Sequence, residues 1–460
     1  MTAPARVAAF HALRAIENGS ADLPSALARS RQYLEDERDR SLAADIVSGT
    51  LRWQRSLDHL AVHFAKRPLD KLDAEVVTVL RLSLYQLLHL TRVPASAVVD
   101  DAVDLTRAAR KPSASGFVNA VLRSILREKH RLPLPPRPAE GAARAEALAY
   151  LGVTHSHPEW LVERWIERYG FDAVEAWVRF DNVAPRLTLR VNRLKATRDE
   201  ARRMLADEGI ETEPTRHAPD GLLVIDGNPM RRPADGLFFV QDEASQLVAL
   251  TAGAQPGERV LDLCAAPGGK TTAMAADMRD EGVLVATDVR PRRMRLLRET
   301  VRLSGARHAH VVQVPGRGEL PFGDAFDCVL VDAPCSGLGT IRRDADIRWR
   351  RSASDLERFA QDQLDLLARA AATVRPGGRL IYSTCSSEPD ENEDVIRRFL
   401  DDHGGFDATP ITDPLLRPFV TDRGILRTLP FVHGLEAFFA AVLVRSTPGL
   451  TRPTPEHGVR

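Results

Sequence analysis

Cysteine is scarce: 4 stand among 460 residues, Cys264, Cys328, Cys335 and Cys385. None sits in a C-x-x-C pair, so no zinc or other metal site is expected. No run of about 18 uncharged apolar residues occurs, so no membrane-spanning helix is expected. The opening MTAPARVAAFHALRAIENG lacks the continuous apolar core and small-residue cleavage site of a signal peptide. Few cysteines and no export signal lead us to expect a cytoplasmic protein whose thiols stay free. An excess of either charge is also lacking, since 63 Lys and Arg balance 63 Asp and Glu. The whole-chain charge gives no support to nucleic-acid binding. Local charge does, in RPRRMRLLRETVR (290–302) and RRDADIRWRR (342–351). Each run is either a solvated helix face or a binding patch.

What is present is a globular composition, 44% hydrophobic and 27% charged. The length suits about two to four domains. Residues 1–130 read as a helical bundle. Val7, Phe10, Leu13 and Ile16 recur at helical spacing, AEVVTVLRLSLYQLLHL is apolar nearly all round, and SGFVNAVLRSILREKH offers Phe117, Val121, Leu122 and Ile125. Proline then breaks the pattern in RLPLPPRPAEGAA, and residues 131–147 read as a linker. Residues 148–235 read as a small α+β module. PEWLVERWIERYG is an amphipathic helix, RLTLRVN alternates like a half-buried strand, and a helix and the strand LLVID follow. Over residues 236–448 short apolar runs alternate with helices: RVLDLC, VLVATDV, AHVVQV, FDCVLVDA and GRLIYSTC. That order predicts βαβ units and a parallel sheet covered on both faces. Ligands of such sheets lie beyond the carboxyl ends of the strands.

Three strand ends carry chemistry. In VLDLCAAPGGKTTAMA (260–275), Gly268 and Gly269 let the backbone approach a ligand closely before a helix begins near Lys270. The loop is neither G-x-G-x-x-G nor a Walker loop, which argues against dinucleotides and nucleoside triphosphates. Asp262 lies within that strand. Asp288 ends the next one, where a carboxylate either accepts both ribose hydroxyls or caps a helix. The combination suits an adenosine ligand without a pyrophosphate, such as S-adenosylmethionine. DAPCSG (332–337) puts Asp332 at the crevice edge and Cys335 after the turn. YSTCSSEPDENED (382–394) puts Cys385 at another strand end. Cys328, inside FDCVLV, reads as a small hydrophobe. A thiolate at a crevice is a candidate nucleophile. Methylation of carbon 5 of a pyrimidine needs one: addition at carbon 6 makes carbon 5 enamine-like.

DLCAAPGGKT, DAPCSG and YSTCS together resemble the RNA cytosine-5 methyltransferases. With SGFVNAVLR and FFVQDEASQLVA, the chain is similar along nearly its whole length to the bacterial RsmB (Sun/Fmu) family, which acts on 16S ribosomal RNA. The resemblance implies an all-α NusB-like bundle, a small α+β (RRM-like) module and an α/β Rossmann-like class I methyltransferase domain. It implies S-adenosylmethionine as cofactor, held by Cys264, Ala265, Ala266, Pro267, Gly268, Gly269 and Lys270, with Asp288 on the ribose and Asp332 near methyl donor and cytosine. It makes Cys385 the nucleophile and Cys335 the residue that assists product release. Small-subunit ribosomal RNA becomes the expected partner of a monomeric chain, with residues 342–351 lining the RNA cleft. Trp349 there either stacks on a base or packs in the core.

One departure stands out. The third strand of this family usually ends in an acid that meets adenine. Here Gln313, Val314 and Pro315 occupy that place, and the first acid is Glu319. The rival readings are a non-catalytic RNA-binding module and a methyltransferase of transfer RNA. The first conflicts with intact Cys335, Cys385 and Asp332, and the second shares every catalytic residue.

Overall fold

Ala5, Ala9, Leu13 and Ile16 recur every three or four residues and form the buried stripe of α1 (Pro4–Glu17). The computed structural model describes residues 2–447. Six more helices follow, α2 (Leu23–Gln32), α3 (Glu37–Arg52), α4 (Gln54–Ala65), α5 (Ala74–His89), α6 (Ala95–Ala108) and α7 (Ser115–Glu128). Every residue of α5 from Val76 to Leu80 and from Leu82 to Leu87 is buried, as its all-round apolar sequence requires. The proline-rich stretch packs along this body: Pro133 O contacts His59 Nε2 at 2.8 Å, and Pro135 O accepts from Thr154 Oγ1 at 2.6 Å. Helices α8 (Arg144–Ala149), α9 (Glu159–Tyr169) and α10 (Phe171–Asn182) complete it, with Trp165 of α9 stacked on Trp177 of α10 at 4.2 Å.

The chain divides into Met1–Ala184 with Ile341–Ala353 as one unit, and Pro185–Thr340 with Ser354–Arg460 as the other. Of the elements expected over 148–235, helices α9 and α10 belong to the first unit, and the strands with the helix over 198–207 belong to the second.

The segment Ile341–Ala353 overturns an expectation. Its basic composition suggested an RNA-facing strip, yet Arg348 is 1% exposed. The guanidinium donates to Arg52 O, Ser156 O, Asp181 O and Asn182 Oδ1 at 2.8–3.1 Å. Trp349 packs against the helical core and its indole donates to Leu51 O at 2.7 Å. Arg342 lies over the Phe180 ring at 4.2 Å. Carbonyl groups at helix ends and an aromatic face absorb these charges, so Trp349 is a core residue and Arg348 an internal clamp.

The second unit begins with a four-stranded antiparallel sheet of β1 (Thr188–Val191), β2 (Glu211–Pro214), β3 (Gly221–Asp226) and β4 (Phe238–Val240), in the order β2-β3-β1-β4. Helix α11 (Arg198–Asp207) follows β1 and opens on a capping box between Thr197 and Glu200. After α12 (Glu243–Leu250) comes the large sheet. Its parallel strands are β5 (Arg259–Asp262), β6 (Val283–Asp288), β7 (Ala309–Gln313), β8 (Phe326–Asp332) and β9 (Val374–Thr384). These are the five expected runs. β10 (Phe406–Thr409) and β12 (Phe439–Arg445) extend the sheet antiparallel, so it is mixed, in the order β10-β12-β9-β8-β5-β6-β7, with β11 (Leu426–Arg427) beside β12.

Alternation along β8 builds both layers. Cys328 and Leu330 face a cluster with Met274 of α13 (Gly269–Asp277) and Met278, which caps that helix. Val329 and Val331 face Ala360 and Leu367 of α16 and Phe399 of α17. Those helices span Ser354–Ala371 and Glu393–Asp402; α14 is Pro291–Ser304 and α15 is Ile347–Arg350. Cys328 behaves as the small hydrophobe expected: it is fully buried, and burial pushes its pKa up to about 12. No helix among the described residues is long and apolar enough to cross a membrane.

Candidate active site

β8 and β9 are parallel neighbours, with Asp332 in register with Ser383. Their carboxyl ends therefore deliver Cys335 and Cys385 to one place, and the two Sγ atoms lie 3.1 Å apart. The loops are laced by backbone bonds. Ala333 N donates to Ser383 O at 2.8 Å, and Gly339 N donates to Cys385 O at 2.9 Å. A Cβ at Gly339 would lie 2.0 Å from Ala437 O, so only glycine permits this approach.

The bond to Cys385 and then burial hold the Cys335 pKa well above the usual thiol range. Beside the pair, Lys270 Nζ donates to Asp332 Oδ2 at 2.7 Å, and Ser383 Oγ donates to Asp332 Oδ1 at 2.9 Å. Burial opposes the Lys270 charge, but Asp332, with help from Cys385, more than offsets it and leaves the pKa raised.

The glycine loop leaves β5 below this group. Gly268 has φ of 110°, in the region glycine favours, and a Cβ there would press on Leu297 and Thr300 of α14 at 3.1 Å. Asp262 is 1% exposed and accepts from Thr271 Oγ1 at 2.7 Å. Its other oxygen, Oδ1, is buried with no hydrogen-bond partner among the described residues. Asp288 ends β6, as expected, and its Oδ1 accepts from Arg290 N at 2.9 Å, a turn leading into α14. Its Oδ2 is 3.8 Å from Arg293. A cavity of about 1170 Å³ opens at these strand ends, lined by Cys264, Val289, Arg290, Glu319, Phe322 and Pro334. Gln313 sits at the end of β7, where its side-chain amide donates to Val289 O at 3.3 Å. Glu319, the first acid after that strand, is in the cavity wall, whereas Gln313 is not among its lining residues.

Comparison with known proteins agrees with this geometry. Residues 249–444 match the family described as 16S rRNA methyltransferase RsmB/F. Residues 3–127 match the NusB family, and residues 157–231 the ferredoxin-like domain of RsmF/B-like methyltransferases. The chain is 36% identical over 411 residues to the probable ribosomal RNA small subunit methyltransferase B of Bacillus subtilis, covering 88% of this chain and 90% of that one. The chain belongs to the RsmB/F methyltransferase family. It is also 37% identical over 401 residues to ribosomal RNA small subunit methyltransferase B of Pseudomonas putida, covering 86% and 88% of the two chains. Among solved structures, the crystal structure of PH0851 superposes with a TM-score of 0.79 at 28% identity, over 96% of this chain and 99% of that one.

Within this RsmB/F member, three supporting residues escaped the sequence reading. Ser383 lies inside the quoted YSTCS but had no assigned partner. Arg190 of β1 lies on the polar side of the alternating RLTLRVN, yet it is 2% exposed. It donates to Gln241 Oε1 and Thr272 Oγ1 at 2.6 Å and to Gly269 O at 3.2 Å, bracing the start of α13. Burial lowers its pKa to about 10. Glu391 is fully buried behind the two thiol loops. Its signal was present in YSTCSSEPDENED, an acid in register with neither strand end and without a basic neighbour.

Proposed function

We propose that this chain methylates carbon 5 of a cytosine in small-subunit ribosomal RNA, using S-adenosylmethionine. The observation that carries the reading is the pair of sulfurs 3.1 Å apart beside the Lys270–Asp332 ion pair. Relatives named ribosomal RNA small subunit methyltransferase B support the substrate class.

The residues around the cavity fit an adenosine-bearing sulfonium. Gly268 removes side-chain bulk where the backbone turns, Asp288 puts a carboxylate at the tip of β6, and Glu319 puts a second acid in the wall. The loop from Cys264 to Lys270, with Asp288 and Asp332, would hold it. When bound, S-adenosylmethionine supplies an electrophilic methyl group.

The chain's own groups do the rest. Cys385, as thiolate, adds to carbon 6 of the cytosine and forms a carbon–sulfur bond, which makes carbon 5 nucleophilic. The Lys270 ammonium lies close enough for Cys385 to help raise its pKa, which puts a cation beside the attacking sulfur. Asp332, oriented by Lys270 and Ser383, faces the ring. Once carbon 5 carries the methyl group, transfer of its proton to water or to a basic group at the site restores the double bond and expels the Cys385 sulfur as thiolate. Cys335, 3.1 Å from that sulfur, assists the release. A base in a stacked duplex cannot reach recessed thiols, so the target cytosine is unpaired or extruded.

The test is methyl transfer from labelled S-adenosylmethionine to small-subunit RNA, followed by bisulfite mapping. Label found at one protected cytosine supports the reading. Label at a bisulfite-sensitive position, or none with either naked RNA or subunit particles, overturns it.

A further inference from the structure

We propose that Glu391 is a positioning residue that sets the spacing of the two thiols, an inference that rests on the catalytic reading above. Glu391 closes the short 3₁₀ turn Pro389–Glu391 and is fully buried. Its Oε1 accepts from Ser336 N at 2.7 Å and from Gln363 Nε2 at 3.1 Å. Its Oε2 accepts from Ser336 Oγ and Ser386 Oγ, each at 2.5 Å. Ser336 directly follows Cys335, and Ser386 directly follows Cys385. One carboxylate therefore ties the residue after one thiol to the residue after the other.

The surroundings hold that carboxylate in turn. Gln363 Nε2 also donates to Pro334 O at 3.1 Å, so the residue before Cys335 is fixed from the same side. The Tyr382 hydroxyl donates to Glu391 O at 2.6 Å, anchoring its backbone to β9. The serine hydroxyls lie 3.2 Å from each other. All four donors point at an acceptor-only group, which a carboxylate is and an amide is not. Burial raises the Glu391 pKa, and the bonds from Ser336, Ser386 and Gln363 oppose that by favouring the charged form. Two loops that must keep sulfurs in contact through attack and release are thus pinned by the group that best holds several donors at once. Glu391, Ser336 and Ser386 are not among the residues lining the cavity, so the role acts through Cys335 and Cys385 and not on the substrate directly.

The experiment compares the full chain with Glu391→Gln and Ser386→Ala. Two readouts are taken: kcat on small-subunit RNA, and the rate at which diamide joins Cys335 to Cys385, followed by peptide mass mapping. In that oxidation each thiol loses a proton and an electron, the sulfurs bond, and the azo group takes up both to become a hydrazine. We expect Glu391→Gln to slow disulfide formation and kcat by about tenfold or more, with S-adenosylmethionine affinity within about twofold. Ser386→Ala removes one arm and should give a smaller loss in both. A merely structural carboxylate would lower the melting temperature without changing the disulfide rate of the folded fraction. Wild-type rates of oxidation and turnover in both variants overturn the proposal, as does failure of the wild-type chain to form the disulfide. A wild-type chain that forms the disulfide but methylates no RNA refutes the catalytic reading alone, because the oxidation rate still reports on Glu391.

Discussion

Lys270 Nζ and Asp332 Oδ2 are 2.7 Å apart, joining the start of α13 to the end of β8. The lysine side chain is 11% exposed and the aspartate 31%. Cutting this pair on the lysine side leaves a carboxylate with Ser383 as its remaining partner. A fully buried pair cut this way costs about 3–5 kcal/mol. Exposure of Asp332 discounts that to about 1–2 kcal/mol. Lys270→Met should therefore fold with a modestly lower urea midpoint. Methyl transfer should fall far more, by about a hundredfold, because Asp332 loses its orientation and Cys385 loses a cation. Full activity of a folded Lys270→Met variant would remove the ion pair from the catalytic machinery.

Asp262 gives a prediction about pH. Burial pushes its pKa from 3.8 to about 7, the Thr271 bond opposes that, and Asp332 adds to it. The folded state therefore holds a proton that the unfolded state has released over that interval. The contribution to stability is complete below pH 4 or so, declines as pH rises, and is lost above about pH 7. Asp262→Asn cannot titrate. Its stability relative to wild type should rise between pH 5 and 8, by at most roughly 3 kcal/mol. Urea unfolding at the two pH values measures this, and a difference that stays constant with pH would place the Asp262 charge elsewhere.

Much of the catalytic unit was legible because its signals are local. Runs rich in Val, Leu and Ile named β5 to β9, and their ends named Asp288, Asp332, Cys335 and Cys385. Adjacency of β8 and β9 was not legible, since strand order is set by long-range packing; it is what converts two thiols 50 positions apart in sequence into one pair. β10 and β12 were missed for the same reason: their partners are antiparallel and distant. Arg190 shows a second limit. An alternating pattern marks it as outward, but acceptors 51 to 82 residues away make its burial favourable. Composition misled at Arg348 and Trp349 within 342–351, because the acceptors that make Arg348 an internal clamp are distant in sequence.

That clamp changes what removal of the helical unit should do. Arg348 and Trp349 take acceptors from Arg52 and Leu51, at the end of α3. A chain beginning near Ala145 lacks both, and the segment 341–353 begins only six residues after Cys335. We expect such a truncation to expose 341–353 to protease. In the full chain, Arg348→Leu should strand the carbonyls of Arg52, Ser156 and Asp181, at a cost of about 2–4 kcal/mol. Amide exchange across 341–353 should quicken in that variant. Unchanged exchange and an unchanged melting temperature would show that the guanidinium is dispensable to the packing.

The two thiols give the sharpest prediction, because their single mutants should differ in kind. Cys385→Ala removes the group that adds to carbon 6, so methyl transfer and any protein–RNA adduct should both vanish. Cys335→Ala leaves attack and methylation possible but slows expulsion of the Cys385 sulfur. Methylated RNA should then remain bonded to protein and migrate with it in denaturing electrophoresis. The adduct should disappear in the double variant, which lacks the attacking sulfur. An adduct in Cys385→Ala and none in Cys335→Ala would reverse the two assignments. Unchanged turnover in both would make the pair a packing feature of two strand ends, and the covalent mechanism would fall.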